Sequence, residues 1–209
     1  MLQLLKRFKQ SVFLKAFPLQ VKHSFFNQIA HLNWTNIKDK NIENELLLIQ
    51  LFLKQNPEGV FIDVGANLGQ YLYQAEQCIS KENIIGFEPH PQLNHRLKQL
   101  FKGCQIYQAA LSDHQGKAQF KIPYFDSREI HTRGTLKTEH TELEETNAKL
   151  IEVDIDTIDH FTTSTGIQNV SVIKIDVEGA EFDVVKGAIN TIQKNQPILI
   201  IEIEQGTIT

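Results

Sequence analysis

The 209-residue sequence predicts an α/β protein, a mostly parallel sheet with helices on both faces. Three observations carry this. Short apolar runs such as "VFIDV", "IIGF" and "VSVIKI" recur without the polar alternation of a half-exposed strand, the mark of strands covered on both sides. Segments with apolar residues at helical spacing separate them. The acids Asp63, Glu88, Asp176 and Glu202 each fall where such a run ends, and ligands of parallel sheets collect beyond the carboxyl ends of the strands.

The chain divides into a basic helical arm, residues 1–42, and a body, residues 43–209. Residues 1–38 hold six basic residues and no acid, whereas the remainder holds fifteen basic and 25 acidic residues. In the arm, Leu2, Leu5, Phe8, Val12, Phe13 and Phe17 lie near helical spacing, and Pro18 ends that segment. A helix packed on the body or on a partner is the expected form. A basic amphipathic segment resting on an anionic membrane surface is the alternative reading.

In the body, 43–54 ("ENELLLIQLFLK") reads as a helix that is apolar almost all round, hence buried. Val60–Val64 is a strand, 71–79 a helix, Ile84–Phe87 a second strand, and 91–102 a helix with Pro91 in its first turn. Residues 105–111 read as a third strand. "GKAQFKIP" and 150–156 alternate like half-exposed strands, and the polar, Thr-rich stretch 126–149 between them reads as a mobile loop or lid. Val170–Ile175 is a strand, followed by an acidic turn. One helix then carries Phe182, Val185, Ala188, Ile189 and Ile192 inward, and Pro197 opens a last apolar strand.

Composition excludes several classes. An apolar content of 41% supports one well-cored domain, and a net charge of −4 gives no nucleic-acid signal. Cys78 and Cys104 form neither a disulfide framework nor a metal-ligand pattern. The N-terminus lacks an uninterrupted apolar core and a small-residue cleavage site. These features place the chain in the cytoplasm, reduced and without a membrane span.

The stretch "FIDVGANLGQ" asks why a strand should end in an acid and run straight into Gly65 and Gly69. Gly65 lets the chain turn sharply, and Gly69 lets the next helix start close to the strand. A pyrophosphate site expects G-x-G-x-x-G free of nearby negative charge. This turn has one glycine fewer, and Asp63 aims a carboxylate into the crevice. Glu88, 25 residues on at the next strand end, suits a carboxylate accepting the two hydroxyls of a ribose. A cationic ligand with a ribose and no phosphates fits S-adenosylmethionine. The blander alternatives make Asp63 a helix cap and Glu88 an exposed strand-end acid.

"FIDVGANLGQY", "GFEPHPQLNHRL", "AALSDHQG", "VSVIKIDVEGAEFDVVKGA" and "ILIIEIE", in that order, resemble the FkbM family of S-adenosylmethionine-dependent methyltransferases over about residues 43–204. The resemblance implies a class I methyltransferase, Rossmann-like sheet. It implies that Asp63, Gly65, Asn67 and Gly69 wrap the methionine part of the cofactor and that Glu88 takes the ribose hydroxyls. It further implies that Ala110, Leu111, Ser112 and Asp113 lie by the adenine, while Asp176 and Glu178 face the reaction centre. The acceptor it implies is a hydroxyl of a sugar, glycan or natural product. Such sheets normally close with a reversed hairpin after the fifth strand. The sequence stops five residues past Glu204, so a C-terminally truncated fragment is expected, or else strands 117–122 and 150–156 are used differently.

A hydroxyl acceptor must lose a proton as it is methylated. Asp176 and Glu178 are placed to take it or to hold a divalent cation such as Mg²⁺, although two carboxylates alone make an incomplete metal site. The alternative is that Glu178 or Glu181 favours the next helix N-terminus. His90 is expected to wall the cofactor pocket, and His131 and His140 to lie in the loop. Ser112 and Ser171 have no nucleophile-elbow setting. Two rival functions stand beside this reading: an NAD(P)-dependent Rossmann oxidoreductase, and an inactive cofactor-binding module that works through partners.

Overall fold

The computed structural model describes residues 18–37, 44–126, 128–139, 141 and 145–203. The predicted helix of 2–17, His140 and Glu204 lie outside them. The helices are α1 (Pro18–Phe25), α2 (Glu45–Gln55), α3 (Gln70–Ala75), α4 (Pro91–Leu100), α5 (Ile158–Thr165), α6 (Glu181–Lys186) and α7 (Ile189–Asn195). The strands are β1 (Val60–Val64), β2 (Ile84–Phe87), β3 (Gln105–Tyr107), β4 (Ala110–Leu111), β5 (Gly116–Phe125), β6 (Arg128–Glu129), β7 (Asn147–Asp156), β8 (Val170–Ile175) and β9 (Ile198–Ile201).

Five strands form one parallel sheet in the order β3-β2-β1-β8-β9. All five residues of β1 are buried, as its continuous apolar run requires. Successive side chains of β1 enter opposite cores. Phe61 joins Leu46, Ile49, Leu72 and Leu97 from α2, α3 and α4. Ile62 and Val64 join Ile158, Phe161 and Val184 from α5 and α6. The strand order runs outward from β1 in both directions. The chain therefore reverses between β1 and β8, and a doubly wound sheet opens its ligand crevice at that point.

The described part of the arm belongs to the first of these cores. Phe26, Ile29, Leu32 and Ile37 are buried there, and the Phe26 ring stacks on Tyr73 at 4.7 Å. An aromatic pair of this kind adds about 0.5–1.5 kcal/mol beyond its area burial. Pro18 is the first residue of α1, a position where its missing N–H costs little, and the segment it was expected to end lies outside the described residues. Helix α2 is less uniformly buried than its composition suggests, since Leu51 is exposed.

Three elements differ from the expected pattern. The third strand is two strands: β3 stays in the main sheet, and after Gln108 and Ala109 the chain crosses to β4 in a second sheet. That sheet has the order β4-β7-β5-β6, with β5 and β7 paired antiparallel from Gly116↔Ile155 to Tyr124↔Asn147. The alternating strands are thus longer than predicted and pair with each other rather than extending the main sheet. The helix after β8 is two helices, α6 and α7, with Phe182 and Ile189 exposed and Val184 and Ala188 inward. The break falls at Gly187, where a Cβ would stand 2.0 Å from the Ser112 carbonyl oxygen. Among the described residues no helix is long and apolar enough to cross a membrane.

Candidate active site

At the switch point the turn after β1 and the turn after β8 touch. Gly65 has φ +80°, and a Cβ there would lie 1.9 Å from the Asp176 carbonyl oxygen. No L side chain fits that approach, which accounts for the glycine directly after a buried strand. The turn continues through Asn67 at φ +50° to Gly69, whose missing Cβ lets α3 start against the Phe101 ring.

Glu88 follows β2 and is 5% exposed. Its Oε2 accepts the Asn67 N–H and its Oε1 the His90 N–H, both at 2.8 Å. Burial pushes its carboxyl up to about 7, against the downward pull of those two bonds. His90 caps α4 through Nδ1, which accepts the Gln92 N–H at 3.2 Å. Its Nε2 stands 3.5 Å from Glu129. It is therefore a cap and a buried contact rather than a residue lining the crevice.

Asp63 does not reach the crevice. Its side chain is fully buried behind the turn, and neither oxygen has a hydrogen bond among the described residues. Burial pushes its carboxyl up to about 6, against the charge of Lys174, whose Nζ stands 3.6 Å from Oδ1. Asp63 and Lys174 are register neighbours across the β1–β8 pairing. Lys174 also reaches Asp176 Oδ2 at 3.1 Å, donates to the Gly65 carbonyl at 3.3 Å, and lies 4.7 Å over the Tyr71 ring. Sequence reasoning missed Lys174. Its signal was a lone cation inside the apolar run "VSVIKI", a residue type almost never fully buried unless paired.

An open crevice of about 550 Å³ spans the carboxyl ends of β1, β2 and β8. Gly65, Asn67, Glu88, Ala110, Leu111, Asp176 and Glu178 line it, so seven of the sequence-predicted residues converge. Ser112 and Asp113 do not line it. The Ser112 amide donates to the Asp156 carbonyl, and Asp113 faces outward to His114 and Lys186. Asn67 Oδ1 is buried in the crevice wall without a hydrogen-bond partner among the described residues.

Described residues of the stretch expected to be a mobile loop form the crevice roof. Phe120, Thr132, Gly134 and Leu136 from the second sheet and the following segment lie over it. Thr135 pairs with Lys121 through two backbone bonds, and its hydroxyl donates to the Glu178 carbonyl at 2.6 Å. Asn67 Nδ2 donates to the Thr132 carbonyl at 3.2 Å, and Lys137 pairs with Asp183 at 2.8 Å. The roof thereby ties both crevice turns together. Glu178 sits at φ +53°, and Gly179 N–H donates to Glu181 Oε1 at 2.8 Å, so Glu181 braces its own helix start.

A second cavity of about 410 Å³ adjoins the first, lined by Leu68, Gln70, Tyr71 and Lys174. Asn67 and Asp176 line both cavities, so they stand at the junction. Among the described residues no group of three His, Cys, Asp or Glu side chains converges as metal ligands do. The Lys174 ammonium at Asp176 puts a positive charge where a divalent ion would need its first ligand.

A family model described as a methyltransferase FkbM domain matches residues 63–207. The chain is 32% identical over 175 residues to the hexuronic acid methyltransferase AglP of Haloferax volcanii, covering 80% of this chain and 65% of that protein. It is 26% identical over 153 residues to the 2-O-methyltransferase NoeI of Sinorhizobium fredii, covering 69% of this chain and 63% of NoeI. The chain thus spans a little under two-thirds of the length of these relatives. A crystal structure of methyltransferase FkbM from Methylobacillus flagellatus aligns with a TM-score of 0.46 and 16% identity, over 68% of this chain and 32% of that one.

Proposed function

This chain belongs to the FkbM methyltransferase domain family, and we propose that it transfers a methyl group from S-adenosylmethionine to a hydroxyl of a sugar or glycan. The observation that supports this most is the pair of adjoining cavities with Asn67 and Asp176 at their junction. The family implies the methyl donor, and the names of the two relatives, a 2-O-methyltransferase and a hexuronic acid methyltransferase, point to a sugar-type acceptor.

The crevice residues fit the donor. Glu88 at the β2 end has lone pairs left after its two backbone bonds and can accept ribose hydroxyls. Leu111, Phe87 and Phe120 offer apolar surface for an adenine. The orphaned Asn67 Oδ1 accepts a hydrogen bond from an ammonium group. The Gly65–Asp176 backbone contact brings the two turns together where both line the crevice. Asp63 supplies negative charge from behind the turn, and Gly69 shapes the turn through packing. Ser112 and Asp113 hold the β4 exit at a distance from the ligand.

When bound, the donor offers an electrophilic methyl on a sulfonium. Asp176 stands where an acceptor hydroxyl entering from the second cavity would give up its proton as its oxygen takes the methyl. Positioning supplies most of the acceleration, because the donor is already activated. Glu178 lines only the donor side and contributes charge to the cavity wall. The reading runs without a divalent cation. The oxidoreductase alternative is not favoured, given the family and the turn with one glycine too few.

The test is calorimetry with S-adenosylhomocysteine and with NADH, followed by transfer of labelled methyl to a panel of neutral and acidic sugars. Binding of S-adenosylhomocysteine alone and a labelled sugar ether are expected. Binding without transfer to any hydroxyl would support the inactive-module alternative, and NADH binding would restore the oxidoreductase.

A further inference from the structure

The buried ammonium of Lys174 has no assigned purpose in the fold. It is 3% exposed one residue before the carboxyl end of β8, where an apolar chain of similar length would satisfy the core. Its contacts join three pieces of backbone: Asp63 at the end of β1 (3.6 Å), the Gly65 carbonyl in the turn (3.3 Å) and Asp176 after β8 (3.1 Å). We propose that Lys174 is a positioning residue for methyl transfer. Held from behind by Asp63, it fixes the Asp176 carboxylate at the junction of the two cavities. This rests on the methyltransferase reading above.

Lys174 is not itself the base. Burial pulls it towards its neutral form, and the charges of Asp63 and Asp176, with the Asp176 hydrogen bond, outweigh that pull and shift it upward. The groups facing it are Asp63 from β1, Tyr71 from α3, Asp176 from its own strand end, and Glu45 and Glu202 across a neighbouring cavity. The Lys174–Asp176 contact at 3.1 Å holds the carboxylate in one orientation at the junction of the cavities. The step balances simply: the acceptor O–C bond forms as the C–S bond breaks, and the hydroxyl proton passes to Asp176.

The experiment measures single-turnover transfer rate and S-adenosylhomocysteine affinity for wild type, Lys174→Met, Lys174→Arg and Asp63→Asn. In Lys174→Met the rate should fall about tenfold or more, with donor affinity changed less than about threefold. Lys174→Arg should recover most of the rate, because a guanidinium can hold the same carboxylate. Asp63→Asn should lower the rate less than Lys174→Met, because Lys174 still reaches Asp176. A folded Lys174→Met enzyme with an unchanged rate overturns the proposal, as does a rate that Lys174→Arg fails to recover. If Lys174→Met does not fold, Asp63→Asn decides: a lowered rate at unchanged donor affinity supports the clamp, and a wild-type rate overturns it. If wild type binds the donor analogue yet transfers nothing, the methyltransferase reading fails. The clamp is then read from the Asp176 carboxyl-carbon NMR signal, which should change in Lys174→Met and return in Lys174→Arg.

Discussion

A Cβ placed at Gly65 would meet the carbonyl oxygen of Asp176 at 1.9 Å, so the turns after β1 and β8 are packed backbone to backbone across the switch point. The crevice depends on that contact. Asp176 sits at the junction of the two cavities only because the chain at Gly65 has no side chain to push it away.

Gly65→Ala should therefore abolish donor binding while leaving the hydrophobic cores in place. The substitution forces an L residue into φ +80° and displaces the Asp176 backbone. The left-handed conformation alone costs about 1–2 kcal/mol. Calorimetry with S-adenosylhomocysteine should show no binding, and thermal unfolding should show a lowered but cooperative transition.

Donor affinity should rise with pH between 6 and 8. Burial lifts the Glu88 carboxyl to about 7, with the His90 and Asn67 N–H bonds pulling back. The folded state keeps this proton where the unfolded chain has lost it. The associated stability is full below the ordinary glutamate range and is lost as pH climbs through about 7. On the proposed reading the ribose hydroxyls bind the ionised form, so affinity should drop about tenfold from pH 8 to pH 6. Asp63, raised to about 6, has the same sign. A Glu88→Ala profile that is flat, with affinity lowered by about 1.5–3 kcal/mol per lost bond, assigns the effect to Glu88. A profile that keeps its slope assigns it elsewhere.

Asp176→Asn should lower the methyl-transfer rate by about 10²–10⁴-fold with donor affinity little changed, the range for losing a positioned proton acceptor. Glu178→Gln should cost under tenfold, since Glu178 borders only the donor crevice. Single-turnover assays on both variants separate the two roles. Equal losses would place the proton acceptor on neither residue alone.

Lys22→Met should destabilise the fold by about 3–5 kcal/mol. Lys22 pairs with Glu76, each side chain 5% exposed, and its Nζ lies 4.1 Å over the Phe101 ring. Among the described residues, removing the lysine leaves Glu76 buried with only the half-exposed Lys81, 3.5 Å away, as counter-charge. Urea unfolding of Lys22→Met, and of the double variant with Glu76→Gln, measures this. Recovery of most of the loss in the double variant is expected, and a neutral single variant would mean that α1 contributes nothing through this pair.

Local chemistry made much of this protein legible from its residues alone. Strand ends at Val64, Phe87 and Ile175 follow from apolar runs cut by turn residues, and Glu88 follows from its place after "IIGF". The split at Gly187 was not legible, because the atom that forbids a Cβ there belongs to Ser112, 75 residues earlier. Residues 126–149 looked like a free loop because the partners of Thr135 and Lys137 in that stretch, Lys121, Glu178 and Asp183, are met only in space.

The sequence by itself determined the parallel α/β layering, the glycine turn and the carboxylates that follow the strands, since periodicity and turn chemistry act over a few neighbouring residues. Tertiary structure alone decided that β8 lies beside β1. That adjacency sets Lys174 against Asp63, turns Asp63 from a crevice wall into a buried anchor, and leaves Asp176 at the junction of the cavities. Strand order arises from how whole faces bury against α1–α4 and α5–α7, and no local pattern in "FIDVG" or "IKIDV" encodes which strand becomes its neighbour.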